Sequence, residues 1–326
     1  MNFNHRYYSF YITGLVLMLV GLGIAAETHT PQTITIDQLA DICEAMESAI
    51  EDITIEYEWL VDSSKTLEEK LESIADKGWA LVVGPRRCKM VCRLVRPDQN
   101  DPDVPLFDKY LFEDSHINMI EPNEPFDMLT KRCYDGHVAK QLDVGGYPRS
   151  IMSGLISRPD STPYVWVPNP VNYLSILRFK AIEEMSLSSA LRQGRVSIDN
   201  IEKEINGFNT IRADFIQAHT NKPFRRIYFS VEHGYTPVRY EYLQPKSGTV
   251  HESIEINSLE EVSEGLWFPS SGAMIDHNSK YNEANLYQAT SKIIVNQGLT
   301  DEVFDIGFPV GTKVHDKIQG KKYIVK

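Results

Sequence analysis

Four short segments of the sequence place a histidine beside acidic residues. Such pairs act as general bases or metal ligands in many enzymes. The segments are Asp114-Ser115-His116, Asp135-Gly136-His137, Glu232-His233-Gly234 and Asp276-His277-Asn278. Because Asp, Asn, Gly and Ser are also favoured in turns for backbone reasons, we interpret all four as turns. A metal site built from several of them would need an arrangement of turns that the sequence does not specify.

No established catalytic motif accompanies these histidines. The chain has no Gly-x-Ser-x-Gly elbow, no His-Glu-x-x-His pair and no phosphate-cradling glycine loop. Cys88 and Cys92 fall in one predicted strand, about 13 Å apart, which is too far for a mutual disulfide bond. A bond from either to Cys133 and free buried thiols are equal alternatives, and Cys43 is a further candidate thiol. We therefore expect no catalytic residue, no metal and no cofactor, and no enzyme.

The first 26 residues have the order of a secretory signal peptide. A short basic start precedes an apolar run from Phe10 to Ile24, and Ala25 and Ala26 follow it. The run is shorter than the roughly 20 residues of a spanning helix, and no cysteine marks a lipid-attachment site. We expect cleavage after Ala25 or Ala26, with an uncleaved anchor as the alternative. The mature chain, 27–326, is then a periplasmic or secreted protein.

The charge balance argues against a nucleic acid partner. The chain has 33 basic and 45 acidic residues and a formal net charge of −12, so its field repels phosphate. Two local basic clusters lie in alternating strand patterns, where we interpret them as solvated faces. They are Arg86, Arg87 and Lys89, and Arg225 and Arg226.

The periodicity of the apolar residues changes after residue 50. The segment Thr35-Ile36-Asp37-Gln38 has the spacing of a capping box, and a helical pattern continues from it to Ile50. From Ile53 to Trp59 apolar and polar residues alternate, which predicts a half-buried strand directly after the helix. Further helical segments are predicted near 64–77 and 170–193, and a surface loop at 97–105.

Strands dominate the rest of the chain. Their spacing of about 8–12 residues and the absence of βαβ alternation favour a sandwich or barrel in a single domain. The predicted strands in the second half are Ile198–Ile205, Ile211–Ala218, Arg225–Val231, Val238–Tyr242, Val250–Ile256, Gly265–Phe268, Gly272–Ile275 and Tyr287–Val295.

Several of these segments together resemble a known superfamily, the outer-membrane lipoprotein-sorting carriers of the LolA and LolB type. The resemblance rests on the helix that runs into Ile53–Leu60, the turn Tyr134-Asp135-Gly136, the run from Gly234 to Tyr242 with its Pro237-Val238-Arg239 strand start, the segment Gly265-Leu266-Trp267-Phe268-Pro269, and the tail from Phe308 to Asp316 with Tyr323-Ile324-Val325. The tail is similar to that of long, uncharacterised bacterial members.

This resemblance implies a mainly β (α+β) fold, an open, unclosed antiparallel β-barrel wrapped around helices. Such a fold leaves a concave face that receives every second side chain of each strand. The implied function is an envelope binding protein that holds a lipid or lipoprotein acyl chain. The candidate cavity residues are Ile55, Tyr57, Trp59, Met90, Leu94, Ile227, Phe229, Tyr240, Tyr242 and Trp267. For each of them, packing against the first helix is the alternative role.

Three other functions remain open at this point. A periplasmic sensor similar to the LolA-like domain of RseB would keep the fold and use an envelope protein partner. An envelope hydrolase would assemble a site from the scattered histidines and acids, and a structural envelope protein would have a filled core. For the carrier we expect a lipid or acylated protein as the partner, and a monomer.

Overall fold

The computed structural model describes residues 33–62, 64–75, 81–94, 107–119, 124–146, 151–158, 186–244, 246–278 and 283–326. The predicted signal peptide, the predicted loop at 97–105 and the first part of the predicted helical segment at 170–193 lie outside these residues. From Ile34 to Lys326 the described residues belong to one compact unit. None of the helices they form is both long enough and apolar enough to cross a membrane.

The described helices are short. They are α1 (Ile36–Ala49), α2 (Leu67–Ala75), α3 (Leu187–Gln193) and a 3₁₀ helix (Asp301–Phe304). The capping box of α1 is confirmed: the Thr35 hydroxyl accepts from the Gln38 amide, and the Gln38 side chain accepts from the Thr35 amide. Helices α2 and α3 confirm helix within the two predicted helical segments.

Sixteen strands are present in the described residues. The first eight are β1 (Asp52–Asp62), β2 (Leu81–Leu94), β3 (Phe107–Met119), β4 (Pro125–Tyr134), β5 (Ala139–Gly145), β6 (Ile151–Ser157), β7 (Val196–Ile205) and β8 (Phe208–Ile216). The others are β9 (Pro223–Ser230), β10 (Thr236–Leu243), β11 (Val250–Ser263), β12 (Leu266–Asp276), β13 (Ala284–Ala289), β14 (Ile294–Val295), β15 (Lys313–Asp316) and β16 (Lys321–Ile324).

These strands form one large sheet. Its order is β16-β15-β6-β5-β4-β3-β2-β1-β13-β12-β11-β10-β9-β8-β7, and β14 also pairs with β1. The pairs are antiparallel except β15 with β6, which is parallel. The sheet ends at β16 on one side and at β7 on the other, so it does not close into a barrel. The prediction of a mainly β, open sheet is therefore confirmed.

The main apolar cluster joins the helices to the sheet. Leu39 and Cys43 of α1 and Leu187 and Leu191 of α3 are buried in it, together with residues from both halves of the sheet. A fully buried leucine side chain contributes about 1.5–3 kcal/mol through removal of apolar area from water. These two helices therefore pack against the sheet and bury apolar side chains of both its halves.

A buried carboxylate fixes α3 against α1. Glu47 is 2% exposed and accepts hydrogen bonds from the Ser188 amide at 2.9 Å and the Ser188 hydroxyl at 2.5 Å. Ser186 caps the start of α3 through the Ser189 amide. Amide groups in the first turn of a helix lack partners within the helix, so the Glu47 oxygens satisfy donors that burial would otherwise leave unpaired.

The division of the chain into strands differs from the sequence prediction in two places. The predicted strands Gly265–Phe268 and Gly272–Ile275 are one continuous strand, β12, and the predicted strand Tyr287–Val295 is divided into β13 and β14. Gly272 does not interrupt β12. A Cβ atom at this position would lie 2.6 Å from the Glu255 carbonyl oxygen and 2.8 Å from the Tyr287 ring, so the glycine permits close packing.

Candidate ligand-binding cavity

A cavity of about 230 Å³ lies where β1, β2 and α2 meet. Its lining is mostly apolar, with Lys70 and Arg86 as the charged members. The lining residues are Trp59, Leu60, Val61, Lys70, Leu81, Val82, Val83, Gly84 and Arg86. Leu60 and Val61 are 39% and 45% exposed, so the cavity reaches the protein surface at the end of β1. Its volume is just below the range of about 300–1,000 Å³ common for small-molecule pockets.

Trp59 and Arg86 form one wall of this cavity. The Arg86 guanidinium carbon lies 4.6 Å from the centre of the Trp59 ring, a cation–π geometry. The indole nitrogen donates a hydrogen bond to Asn285 Oδ1 at 3.3 Å. Both side chains are thus oriented by neighbours on adjacent strands, and the aromatic face and the cation meet at the same edge of the cavity.

Behind this wall Arg86 forms an ion pair with Asp114. Arg86 Nε donates to Asp114 Oδ1 at 3.0 Å, and the second guanidinium contact reaches Asp114 Oδ2. His116 Nδ1 lies 3.1 Å from Asp114 Oδ1. Burial, followed by the charge of Arg86, lowers the pKa of His116 to about 4. At neutral pH the cluster therefore contains one cation, one carboxylate and a neutral imidazole.

A second arginine lies near this cluster. Burial lowers the pKa of Arg86, and the positive charge of Arg132 lowers it further. Arg132 Nε is buried and has no hydrogen-bond partner within the described part of the chain. One strand pair further along, Thr130 donates to Asp143 at 2.9 Å. The sheet next to the cavity is thus a polar region in which the positive charges of Arg86 and Arg132 repel each other.

The ten residues predicted to line the cavity occupy different surroundings. Seven are buried in the main apolar cluster with α1 and α3: Ile55, Tyr57, Met90, Leu94, Ile227, Phe229 and Tyr240. Three are half-buried, namely Trp59, Tyr242 and Trp267. Of the ten, Trp59 lines the cavity. The ligand contacts of all ten stay a prediction.

The remaining two half-buried aromatics lie near other cations or histidines. The Arg225 guanidinium stacks on the Tyr242 ring at 3.6 Å, and the Tyr242 ring lies 4.6 Å from that of Tyr240. The Trp267 ring packs edge-on against His233 at 4.6 Å. Tyr242 and Trp267 are thus not among the residues that line the cavity beside Trp59.

The polar part of the site was missed by the sequence interpretation. Asp114-Ser115-His116 is not a turn, because it lies within β3; the other three acidic histidine segments do adjoin turns. The basic cluster in β2 also divides: the Arg87 side chain is 82% exposed, as predicted, whereas Arg86 faces Asp114 on the other side of the sheet. The alternation of residues in β2 could have revealed this orientation, since Arg86, Cys88 and Met90 are every second residue and therefore lie on the same face of the strand.

The cysteines and acids show no second chemical site in the described residues. All four cysteines, Cys43, Cys88, Cys92 and Cys133, are free and buried, which decides between the two alternatives for the thiols. Burial raises the pKa of Cys88 to about 11, so its thiolate is scarce at neutral pH. No group of three or more His, Cys, Asp or Glu side chains that could hold a metal is found within the described ranges.

Comparison with known proteins returns similarity in structure only. No family model and no curated protein matches the sequence. A domain described as that of an outer membrane lipoprotein-sorting protein from Vibrio parahaemolyticus aligns with a TM-score of 0.42 at 13% identity, covering 82% of this chain and 95% of that chain. A DUF1329 family protein from Desulfovibrio piger aligns with a TM-score of 0.44 at 10% identity, and the alignment covers 84% of this chain and 98% of that chain. A LolA superfamily protein from Nitrosomonas europaea aligns with a TM-score of 0.39 at 8% identity, and the alignment covers 84% of this chain and 99% of that chain.

Proposed function

We propose that this protein is an envelope binding protein that holds the acyl chain of a lipid or of a lipidated protein in the cavity beside Trp59. The observation that carries the proposal is an apolar cavity whose wall ends on a fixed cation, Arg86. The resemblance of the sequence to lipoprotein-sorting carriers is consistent with this role. The mechanism is reversible burial of the chain, without covalent chemistry.

The apolar walls supply the binding energy in this proposal. Burial of apolar surface contributes about 25 cal/mol per Å², so removing a few hundred Å² of a chain from water yields roughly 5–10 kcal/mol before association costs. Leu60 and Val61 are already exposed at the cavity mouth. A ligand that covers these two side chains would remove their apolar surface from water in addition to the apolar surface of the ligand itself.

The charged wall selects the polar end of the ligand. Arginine binds carboxylates and phosphates through several donors in one plane. Asp114 holds Arg86 in place, and Arg132, whose buried Nε has no hydrogen-bond partner among the described residues, adds a second guanidinium. We therefore propose an amphipathic ligand with an anionic end that lies toward Arg86, such as a fatty acid or a phospholipid.

A fluorescent fatty acid titration tests this proposal with a matched pair of variants. Val82 lines the cavity, whereas Ile117 is exposed on the neighbouring strand β3, on the face opposite His116. We expect Val82→Phe to weaken binding by about 10-fold, because overfilling a packed site costs about 1–3 kcal/mol. Ile117→Phe places the same aromatic side chain at a position outside the cavity lining and should change affinity less than about 2-fold.

Two results would contradict the proposal. The first is that the unmodified protein does not take up the probe at all. The second is that the Val82→Phe and Ile117→Phe variants bind the probe equally well. Circular dichroism of both variants shows whether they are folded under the titration conditions, so that a loss of binding is assigned to the cavity.

A further inference from the structure

The sheet edge formed by β15 and β16 carries an unusual concentration of positive charge. Its five lysines are Lys313, Lys317, Lys321, Lys322 and Lys326, and all are exposed. They contrast with a single acid, Asp316, which is buried and accepts the Ile318 and Gln319 amides in the turn. None of the five lysines forms an ion pair with a carboxylate of the described residues. In a chain of net charge −12 this edge is therefore a local cationic surface.

Exposed apolar side chains accompany these lysines. Val310 is 73% exposed, Ile324 58%, Tyr323 44% and Ile318 43%. On β6, the parallel neighbour of β15, Ile151 is 53% exposed. Half of the ten most exposed large apolar side chains in the described residues thus lie on or beside this one hairpin. We call these five apolar residues and the five lysines the edge surface.

Protection of a sheet edge explains only part of this surface. Lysines on a short edge strand prevent pairing with another sheet, but exposed Val, Ile and Tyr do not serve that purpose. The opposite edge, β7, has a different composition: Lys203 is accompanied by Glu202 and Glu204, and Ile201 is the exposed apolar residue. Of the two sheet edges in the described part of the chain, the β15–β16 edge is the one that combines uncompensated cations with several exposed apolar groups.

We propose that the edge surface docks the protein on an anionic lipid bilayer. Peripheral proteins bind such bilayers through basic side chains that approach anionic headgroups and apolar side chains that enter the headgroup boundary. The edge surface supplies both within one hairpin, while the acidic remainder of the molecule is repelled by the bilayer and sets the orientation. This inference goes beyond the proposed acyl binding and does not depend on the cavity.

Vesicle co-sedimentation tests the proposal on the purified protein. Vesicles of phosphatidylcholine with 30% phosphatidylglycerol are compared with phosphatidylcholine alone, at low and at high salt. We expect binding to the anionic vesicles that salt weakens, since exposed charges are screened over about 10 Å at 0.1 M ionic strength. The triple variant Lys317→Gln, Lys321→Gln, Lys322→Gln should bind about 100-fold more weakly, since each lysine near the surface contributes a factor of about five.

A matched control removes the same charge elsewhere. Lys203, Lys246 and Lys292 are exposed and lie outside the edge surface. Their triple substitution by Gln should leave vesicle binding within about 3-fold, because the lysines near the bilayer contribute most of the attraction. All variants share one N-terminus, so any membrane affinity of the apolar run from Phe10 to Ile24 affects them equally.

Three outcomes would overturn the inference. The first is absence of binding to anionic vesicles, and the second is an equal loss of binding in the two triple variants. The third is a protein that does not bind vesicles but forms a dimer, which the triple substitution of Lys317, Lys321 and Lys322 dissociates. The last result would assign the edge surface to a second copy of the chain. Failure of fatty acid uptake would leave this inference intact, and failure of vesicle binding would leave the cavity proposal intact.

Discussion

Asp114 has a structural role that explains how Arg86 faces an apolar cavity. Its carboxylate is 3% exposed, and it contacts both Arg86 and His116. A buried charge is costly unless it is paired and hydrogen-bonded, so the three groups stabilise one another's positions. Because Trp59 then stacks on the held guanidinium, the cation at the cavity wall is preorganised before any ligand arrives.

The depressed pKa of His116 predicts a specific loss of stability in mild acid. Its folded-state pKa of about 4 is below the ordinary value of 6.5. Between these values the unfolded chain binds a proton that the folded protein does not, so the free energy of unfolding falls as the pH is lowered from about 6.5 to about 4. Below that pH both states are protonated and this contribution becomes constant.

The measurement is urea unfolding of the natural protein and of His116→Gln across this pH range. Glutamine retains a donor toward Asp114 but does not titrate. We expect the free energy of unfolding of the natural protein to fall more steeply with decreasing pH than that of the variant. Parallel pH profiles would show that His116 does not titrate differently in the folded and unfolded states.

At the level of elements, Glu47 couples α1 to α3, and its removal should loosen the helical layer. In Glu47→Ala the Ser188 amide and hydroxyl lose their acceptor in a buried site. A buried donor left without its acceptor costs about 1–3 kcal/mol, so we expect the free energy of unfolding to decrease by about 2 kcal/mol. Amide hydrogen exchange within α3 should accelerate together with this loss.

Glu44 provides the control on the same helix. Its carboxylate is 47% exposed and pairs with Arg192 of α3. Exposed ion pairs contribute about 0–1 kcal/mol, so Glu44→Ala should have a much smaller effect on stability and exchange. If Glu47→Ala and Glu44→Ala lowered the free energy of unfolding equally, the buried hydrogen bonds of Glu47 would not be what couples α1 to α3.

The sequence predicts elements here better than it predicts their partners. The capping box at Thr35 and the alternation from Ile53 to Trp59 are local patterns, and both elements form where predicted. Local pattern failed at Asp114-Ser115-His116, where polar residues that favour turns lie in a strand that pairs with both β2 and β4, and where Arg86 of β2 pairs with the acid. Pairings of this kind depend on the register between β2 and β3, which no periodicity within a single strand specifies.

At the scale of the molecule, the sheet is joined by pairings between strands that are distant in sequence. Strand β1 lies between β2 and β13, and β15 returns to pair with β6. The segment between β14 and β15 supplies Ile306, which forms a second buried cluster with Cys133 and Leu142, separate from the main one. The sheet is therefore continuous, while its apolar packing is divided between a large cluster and a small one.

This division predicts that the two clusters open with different free energies. Cys133 lies in the small cluster and Cys92 in the large one, yet both are 1% exposed, so static burial alone would predict equal reactivity. Burial also raises the pKa of both thiols, so alkylation requires opening. Local opening costs less where fewer apolar groups are buried. We expect Cys133 to be alkylated at least about 10-fold faster than Cys92 under native conditions, which corresponds to a difference of about 1.4 kcal/mol in opening free energy.

Peptide mass spectrometry after timed alkylation measures the two rates in the same sample. Labelling in denaturant provides the reference, since both thiols should then react at similar rates. Equal native rates would mean that Ile306 and its neighbours open only with the entire sheet, so that the small cluster is not an independent unit. A faster Cys133 would instead place the least stable packing in the half of the sheet that carries β5, β6 and the edge surface, and would leave the large cluster beneath α1 and α3 as the more stable part of the protein.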